Sequence, residues 1–226
     1  IMTTATTSDI LAYGGVFLAP TRNPFNYEKI EQVGRDLSTS WLTLTEITNQ
    51  LNLFGDDSQD SYLSDLELAV RMHIEDYLGL PIFPITFQTY YATSSLYGSP
   101  ICLDLPEVSQ GAGNTVVNSV GFYNDAQTPV LTPVSSSNGN WYYDPTGNKV
   151  VLASLPTNFN QNMTAPLVVN FTVKPSFLSQ YPVIKQAGLL LLTHLYNNRS
   201  ETTVGRLAEL PIGIDALLRP YKPLVM

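Results

Sequence analysis

The 226-residue chain has a single cysteine, Cys102, and only two histidines, His73 and His194. One cysteine excludes an internal disulfide framework and a cysteine-rich zinc site. Two histidines leave little for a histidine metal cluster. No run approaches the roughly 18 apolar residues of a membrane-spanning helix; the densest is 187–192. Residues 1–10 lack the basic start and apolar stretch of a signal peptide. Charge is scarce as well, at 13% of residues, about half the roughly 25% usual for soluble domains. What is present is apolar: 44% hydrophobic and 11% aromatic residues. That excludes disorder of the whole chain, because disordered chains are poor in apolar residues and rich in charge. Together these features predict a soluble protein of a reducing compartment, or of something assembled there.

The net charge of -8 is unevenly placed. Residues 1–80 hold 4 basic and 12 acidic residues, and residues 174–226 hold 6 basic and 3 acidic. Between them, residues 81–173 carry only Asp104, Glu107, Asp125, Asp144 and Lys149. So few charges suit a surface that meets other protein better than one that stays soluble alone. The middle region is rich in Ser, Thr, Asn, Tyr, Pro and Gly, a composition of strands and turns.

Residues 1–40 show no sustained periodicity and read as an extended arm, with a short helical turn near 28–33. Residues 41–53 read as a helix. Thr43 and Glu46 are spaced as a capping box, and Leu42 and Ile47 as a hydrophobic staple. A second helix opens at 57–60 and runs to Leu78, with Leu63, Leu66, Val70, Ile74 and Tyr77 on one stripe. Gly79 is placed to end it in the left-handed conformation, and Pro81 prevents continuation. Strands are expected at 85–91, 115–123, 140–143, 149–152 and 167–173, with Pro145-Thr-Gly-Asn148 as a hairpin turn. Pro182 suits the first turn of a third helix. Apolar nearly all round, that helix reads as a central or subunit-packing one. A polar loop over 199–209, a short helix over 213–218 and a proline-punctuated tail complete the chain. The fold class is α+β: a small helical bundle with an inserted antiparallel β domain and an extended N-terminal arm. The divisions are 1–40 for the arm, 41–80 with 174–226 for the helical core and tail, and 81–173 for the β insertion.

Chemistry-bearing motifs are sparse. There is no phosphate-binding glycine loop, nucleophile elbow or zincin helix. His194, on an apolar helix, reads as a core or interface histidine, and His73 as a solvated one. Asp56, Asp57 and Asp60 suit a helix start better than a calcium loop, whose glycine and terminal glutamate are missing. Asp104, Glu107, Asp125 and Asp144 offer a carboxylate pair for glycoside hydrolysis only in principle. Cys102 reads as a small buried residue. Glycosylation acceptors at Asn162, Asn170 and Asn198 have no secretory signal to give them meaning. Eleven scattered Lys and Arg do not make the clustered patch that grips nucleic acid. No catalytic residue, metal ligand or cofactor site is therefore expected.

Three segments together resemble the head–tail connector, or adaptor, family of tailed bacteriophages. The first is 42–88: helix, Asp-Asp turn, and a long helix ending Glu75-Asp76-Tyr77-Leu78-Gly79. The second runs from Pro182-Val-Ile-Lys-Gln-Ala to His194-Leu-Tyr-Asn-Asn-Arg199. The third is Leu210-Pro-Ile-Gly-Ile-Asp-Ala-Leu-Leu-Arg-Pro-Tyr221. They cover about half the chain; the arm and the large β insertion go beyond the family pattern.

The resemblance implies a structural virion protein, assembled in the host cytoplasm. Its expected form is a ring, a dodecamer, that joins the portal to the tail and extends the DNA channel. The expected partners are other copies of the chain, the portal protein and tail or tail-adaptor proteins. DNA passes without sequence-specific binding, and no membrane is involved. Leu217, Leu218, Arg219, Tyr221, Lys222, Arg199 and Arg206 are the candidate portal or subunit contacts, because Tyr and Arg are common interface anchors. The alternative is a carbohydrate- or receptor-binding β module of a phage tail, with Trp141, Tyr142 and Tyr143 as its aromatic platform.

Overall fold

A computed structural model describes residues 26–93, 96, 100–106, 114–136, 139–175, 180–199 and 212–222. The chain divides into two compact units. A β unit comprises Ile1–Glu31, Gln88–Glu107 and Val117–Phe171, and a helical unit comprises Gln32–Phe87, Val108–Val116 and Thr172–Met226.

In chain order the elements are β1 (Tyr27–Arg35), α1 (Leu44–Leu51), α2 (Asp60–Leu78), β2 (Ile85–Tyr91), β3 (Ile101–Asp104) and β4 (Thr115–Tyr123). They continue with β5 (Leu131–Pro133), β6 (Trp141–Asp144), β7 (Lys149–Leu152), β8 (Leu167–Val173), α3 (Pro182–Asn197) and α4 (Ile212–Leu218). A 3-10 turn over Arg219–Tyr221 follows α4. The fold is α+β, with helices and two antiparallel sheets, ordered β1-β2-β8-β4-β5 and β3-β7-β6.

The β unit is held by buried apolar side chains on its strands. Leu103, Val150 and Leu152 are fully buried in the three-stranded sheet, as are Leu167, Val169 and Phe171 on β8. Burying each such side chain contributes roughly 1.5–3 kcal/mol. The turn Pro145–Asn148 joins β6 to β7 as expected, with Trp141 opposite Leu152 and Asp144 opposite Lys149. Asn148 takes the left-handed conformation there (φ 49°), which Asn tolerates better than most residues. Tyr91 is buried, and its hydroxyl donates to the carbonyl of Asp104 at 2.8 Å. Burial pushes its pKa well up, and the proton stays available for that bond.

The helical unit packs α1, α2, α3 and α4 around one apolar cluster. Its members include Leu42, Ile47, Leu63, Val70, Ile74, Ile184, Leu192, Ile214 and Leu218. Thr43 and Glu46 form the expected capping box, and the staple residues Leu42 and Ile47 are both buried. Gly79 ends α2 at φ 65°, as the sequence requires. Lys185 on α3 donates to Glu46 on α1, tying those two helices at the surface. That contact, with the cap, holds the Glu46 carboxyl below its ordinary range.

Four expectations need correction. Residues 28–33 are not a helical turn but part of strand β1, which lies at the edge of its sheet; β-branched Ile30 and Val33 favour a strand, and the exposed charges of Glu28 and Lys29 suit an edge. β3 and β5 were not expected, because at 4 and 3 residues they are too short to show a period. His194 is exposed, so of its two readings the core one fails, since the buried face of α3 is carried by Ile184, Ala187, Gly188, Leu191 and Leu192. Cys102 is half-buried, not buried.

Candidate assembly surface

The side chains that organise the helical unit lie along α2. Glu67, Arg71 and Glu75 occur at four-residue steps and are all buried. The Glu67 carboxylate accepts the backbone N–H groups of Trp41 at 3.0 Å and Leu42 at 3.2 Å. Arg71 donates to the carbonyls of Asp36 and Thr39 and stacks 4.7 Å from the Phe83 ring centre. Glu75 accepts from the N–H groups of Ile82 at 2.8 Å and Phe83 at 3.1 Å. Its other oxygen pairs with Arg35 at 2.8 Å. This polar line satisfies backbone groups that would otherwise be buried without partners. It pins the segment before α1 and the entry to β2 against one helix. Burial raises the Glu67 pKa, against the lowering effect of the Leu42 and Trp41 amides.

At the C-terminal end of α2, the Tyr77 hydroxyl donates to the carboxylate of Asp215 on α4. The Lys222 ammonium stands 4.8 Å from the centre of the same ring. Tyr221 packs on Tyr181 with ring centres 5.6 Å apart. These contacts fix the end of the described chain and set Arg219 and Lys222 at the surface. Near the start of α2, Arg199 lies between the rings of Tyr62 (4.6 Å) and Tyr196 (4.4 Å). Its guanidinium also donates to Gln59 at 2.6 Å.

The proposed contact residues therefore differ in placement. Arg219 and Lys222 are exposed, Leu217 and Tyr221 are half-buried, and Leu218 sits in the core with 1% exposure. Leu218 offers no surface, because the periodicity of α4 turns it inward with Ile214. Arg199 is exposed but already engaged by two rings and a side-chain amide. Arg206 lies outside the described residues. The structure brings Tyr221 and Lys222 together at the end of α2 and leaves Arg199 at its start.

The line of Glu67, Arg71 and Glu75 escaped the sequence reading, which followed only the apolar stripe. A signal was available: at about 100° per residue, Glu67 falls about 40° from Leu63, inside the buried arc.

In the β unit, two of the carboxylates weighed for hydrolysis are tied down, and Asp125 is exposed. Asp104 pairs with Lys149 at 3.0 Å, and Asp144 accepts from Thr146 at 2.6 Å. Glu107 lies outside the described residues. Trp141 and Tyr143 project to one side of β6 and Tyr142, 56% exposed, to the other, as successive strand residues must. The Trp141 indole N–H donates to the Val134 carbonyl at 3.0 Å. The three rings thus do not form one stacking platform. No group of metal-ligating side chains occurs among the described residues, and none of the helices described is long and apolar enough to cross a membrane.

No protein-family model and no curated protein matches the chain. Solved structures do. A chain in the neck of an empty gene transfer agent particle, computed with C6 symmetry, aligns with a TM-score of 0.58 and 20% identity, covering 88% of this chain and 97% of that one. The chain has the fold of a gene transfer agent neck protein. A second match, from the virion of the native particle, has a TM-score of 0.57 and 19% identity over 87% of this chain and 96% of that one. A third, from the native neck computed with C12 symmetry, has a TM-score of 0.54 and 19% identity over 88% and 97%. The shared fold thus spans parts of both units.

Proposed function

We propose that the chain is a structural subunit of a phage-type neck, forming a ring that joins the portal at the capsid vertex to the tail. The observation that carries this reading is the shared fold over 88% of this chain with a protein of a neck computed with C6 symmetry. A related neck was computed with C12 symmetry, which supports a twelve-subunit ring.

The disposition of charge supports the same reading. Lys29, Arg35, Lys149 and Lys185 are paired with carboxylates. Arg71 is spent on backbone carbonyls and Arg199 on Gln59 and two tyrosines. Cations engaged in this way do not form the patch that holds phosphates. Such a surface lets DNA pass through a lumen without gripping it.

The Arg219–Lys222 end is proposed to face the portal, with Arg219, Tyr221 and Lys222 as contacts. Of the expected arm, Tyr27–Arg35 form β1 and the Asp36 and Thr39 carbonyls are held by Arg71, so only residues 1–25 are proposed to lie on a neighbouring subunit or tail protein. Electron microscopy of the purified protein, alone and mixed with portal, tests the reading. Rings with twelve subunits that stack on portal are expected. A protein that stays monomeric with portal present overturns it. Arg219→Glu, at an exposed position, is expected to leave the fold intact and weaken portal binding.

A further inference from the structure

From the two edges of the three-stranded sheet we infer that residues 16–19 of one copy add a strand to β6 of the next copy in the ring. This inference rests on the ring reading above and names the surface that takes the N-terminal segment.

The strand register fixes which backbone groups point out of this sheet. The N–H of Ala153 donates to the Asn140 carbonyl at 2.9 Å, and that of Leu105 to the Asn148 carbonyl at 3.0 Å. Hydrogen-bonded and non-bonded pairs alternate along an antiparallel ladder. On β3, opposite β7, the backbone groups of Cys102 and Asp104 therefore point outward. On β6 those of Trp141 and Tyr143 do.

The two edges are finished differently. At β3 the Asn26 side chain takes the place of a strand. Its amide donates to the Cys102 carbonyl at 2.6 Å, and its oxygen accepts the Asp104 N–H at 2.9 Å. The Tyr91 hydroxyl donates to the Asp104 carbonyl. At β6 the outward groups of Trp141 and Tyr143 meet no partner among the described residues, and Tyr142 between them is 56% exposed. Edges that must stay unpaired carry charge or proline, or are covered. In the five-stranded sheet, edge strand β1 carries Glu28, Lys29 and Glu31, and edge strand β5 ends at Pro133. Trp141, Tyr142 and Tyr143 carry neither charge nor proline. Of the four edges of the described sheets, β6 is the one left ready to pair.

Reach and composition identify the occupant. A cyclic ring is built from heterologous contacts, so β6 needs a strand other than a second β6. Val16-Phe-Leu-Ala19, outside the described residues, is an uncharged apolar run between Gly15 and Pro20, the signature of a short strand. It matches the 4 residues of β6 in length. The segment joins the fold at Asn26, on the opposite edge of the same sheet. From there to a strand beyond its own β6 is four strand spacings, about 19 Å in a straight line through the sheet. A chain crossing a sheet face runs about 10 Å above it, which lengthens the route to about 28 Å. The seven steps from Ala19 to Asn26 extend to at most about 25 Å. The open edge within reach is therefore that of a neighbouring copy.

The test uses the full chain. In a Cys102→Ser background, Tyr142→Cys at its exposed position is combined in one chain with Val16→Cys, Phe17→Cys or Leu18→Cys, and assembled protein is mildly oxidised. The variants that link should run on a denaturing gel as a ladder of multimers. Linkage should alternate along 16–18, because successive strand residues face opposite sides. Hydrogen exchange at the Trp141 and Tyr143 amides should slow at least about tenfold on assembly. Leu18→Pro should abolish that slowing without changing the melting temperature of the unassembled chain. Monomers closed by an internal disulfide, assembled rings without any link, or exchange that is unchanged on assembly or slows equally with Leu18→Pro overturn the inference and leave the ring reading standing. A wild-type protein that remains monomeric with portal overturns both.

Discussion

Tyr77 donates its hydroxyl proton to the carboxylate of Asp215, 138 residues away in sequence. One side chain at the end of α2 thereby holds α4, while its ring face carries the Lys222 ammonium. The bond raises the Tyr77 pKa, with burial as the next cause. The neutral phenol is the donor, so its contribution is complete below the ordinary tyrosine pKa near 10 and is lost as pH rises through the raised value. Tyr77→Phe keeps the ring but removes the donor. A loss of about 1–2 kcal/mol in urea unfolding is expected, with faster proteolysis after residue 218. Unchanged stability and unchanged cleavage would show that the bond does not hold the C-terminal end.

Arg71 is the largest fully buried side chain among the described residues, and its Nε has no partner. Arg71→Ala leaves the Asp36 and Thr39 carbonyls without their guanidinium donor, removes the stack on Phe83 and takes away the positive charge that favours ionised Glu67. A loss of about 3–5 kcal/mol is expected, the range for breaking one side of a buried ionic network. Arg71→Met keeps most of the volume and loses less, about 1–3 kcal/mol. Equal losses for the two variants by chemical denaturation would assign the whole effect to the lost hydrogen bonds and charge, and none to packing.

The elements legible in the sequence are those with a period or a cap. The stripe of α2 from Leu63 to Tyr77, the Thr43–Glu46 box, Gly79 and the Pro182 start all stand where local rules place them. Strands β2, β4, β7 and β8 match to the residue because β-branched and aromatic residues are bounded by turn residues. The polar line was hidden for a different reason. Glu67 and Arg71 bond to backbone groups 25 to 35 residues away, and nothing local announces a buried charge. Leu218 was misplaced because a proline-rich tail suggests surface, whereas the turn of α4 decides which side faces in.

Glu67 gives a pH test with a definite sign. Its folded pKa is raised, mainly by burial. A carboxyl shifted up stabilises the fold while protonated and loses that contribution as pH rises from its unfolded value near 4.5 through the folded one. Glu67→Gln keeps an acceptor for the Trp41 and Leu42 amides without the buried charge. Its stability relative to wild type should therefore be more favourable at pH 7 than at pH 4. A difference that does not change between those two pH values, measured by urea unfolding, would show that Glu67 is not penalised by burial.

Gly188 sits in the middle of α3, where alanine is ordinarily better by roughly 1 kcal/mol. The surroundings reverse that preference. A Cβ at position 188 would lie 2.7 Å from Cζ3 and 3.0 Å from Cη2 of the Trp41 indole. The indole is a rigid plate, not the tip of a flexible chain, and its backbone N–H is held by Glu67. Relief must come from a shift of Trp41 or of α3 itself, and overpacking of this kind costs about 1–3 kcal/mol. Gly188→Ala should therefore lower the melting temperature despite its gain in helix propensity. Trp41→Leu in the same chain should restore part of the loss, because the smaller side chain frees the space beside position 188. A Gly188→Ala protein that melts at or above the wild-type temperature would mean that Trp41 can move aside freely, and that the close approach of α3 to the segment before α1 is not fixed by packing.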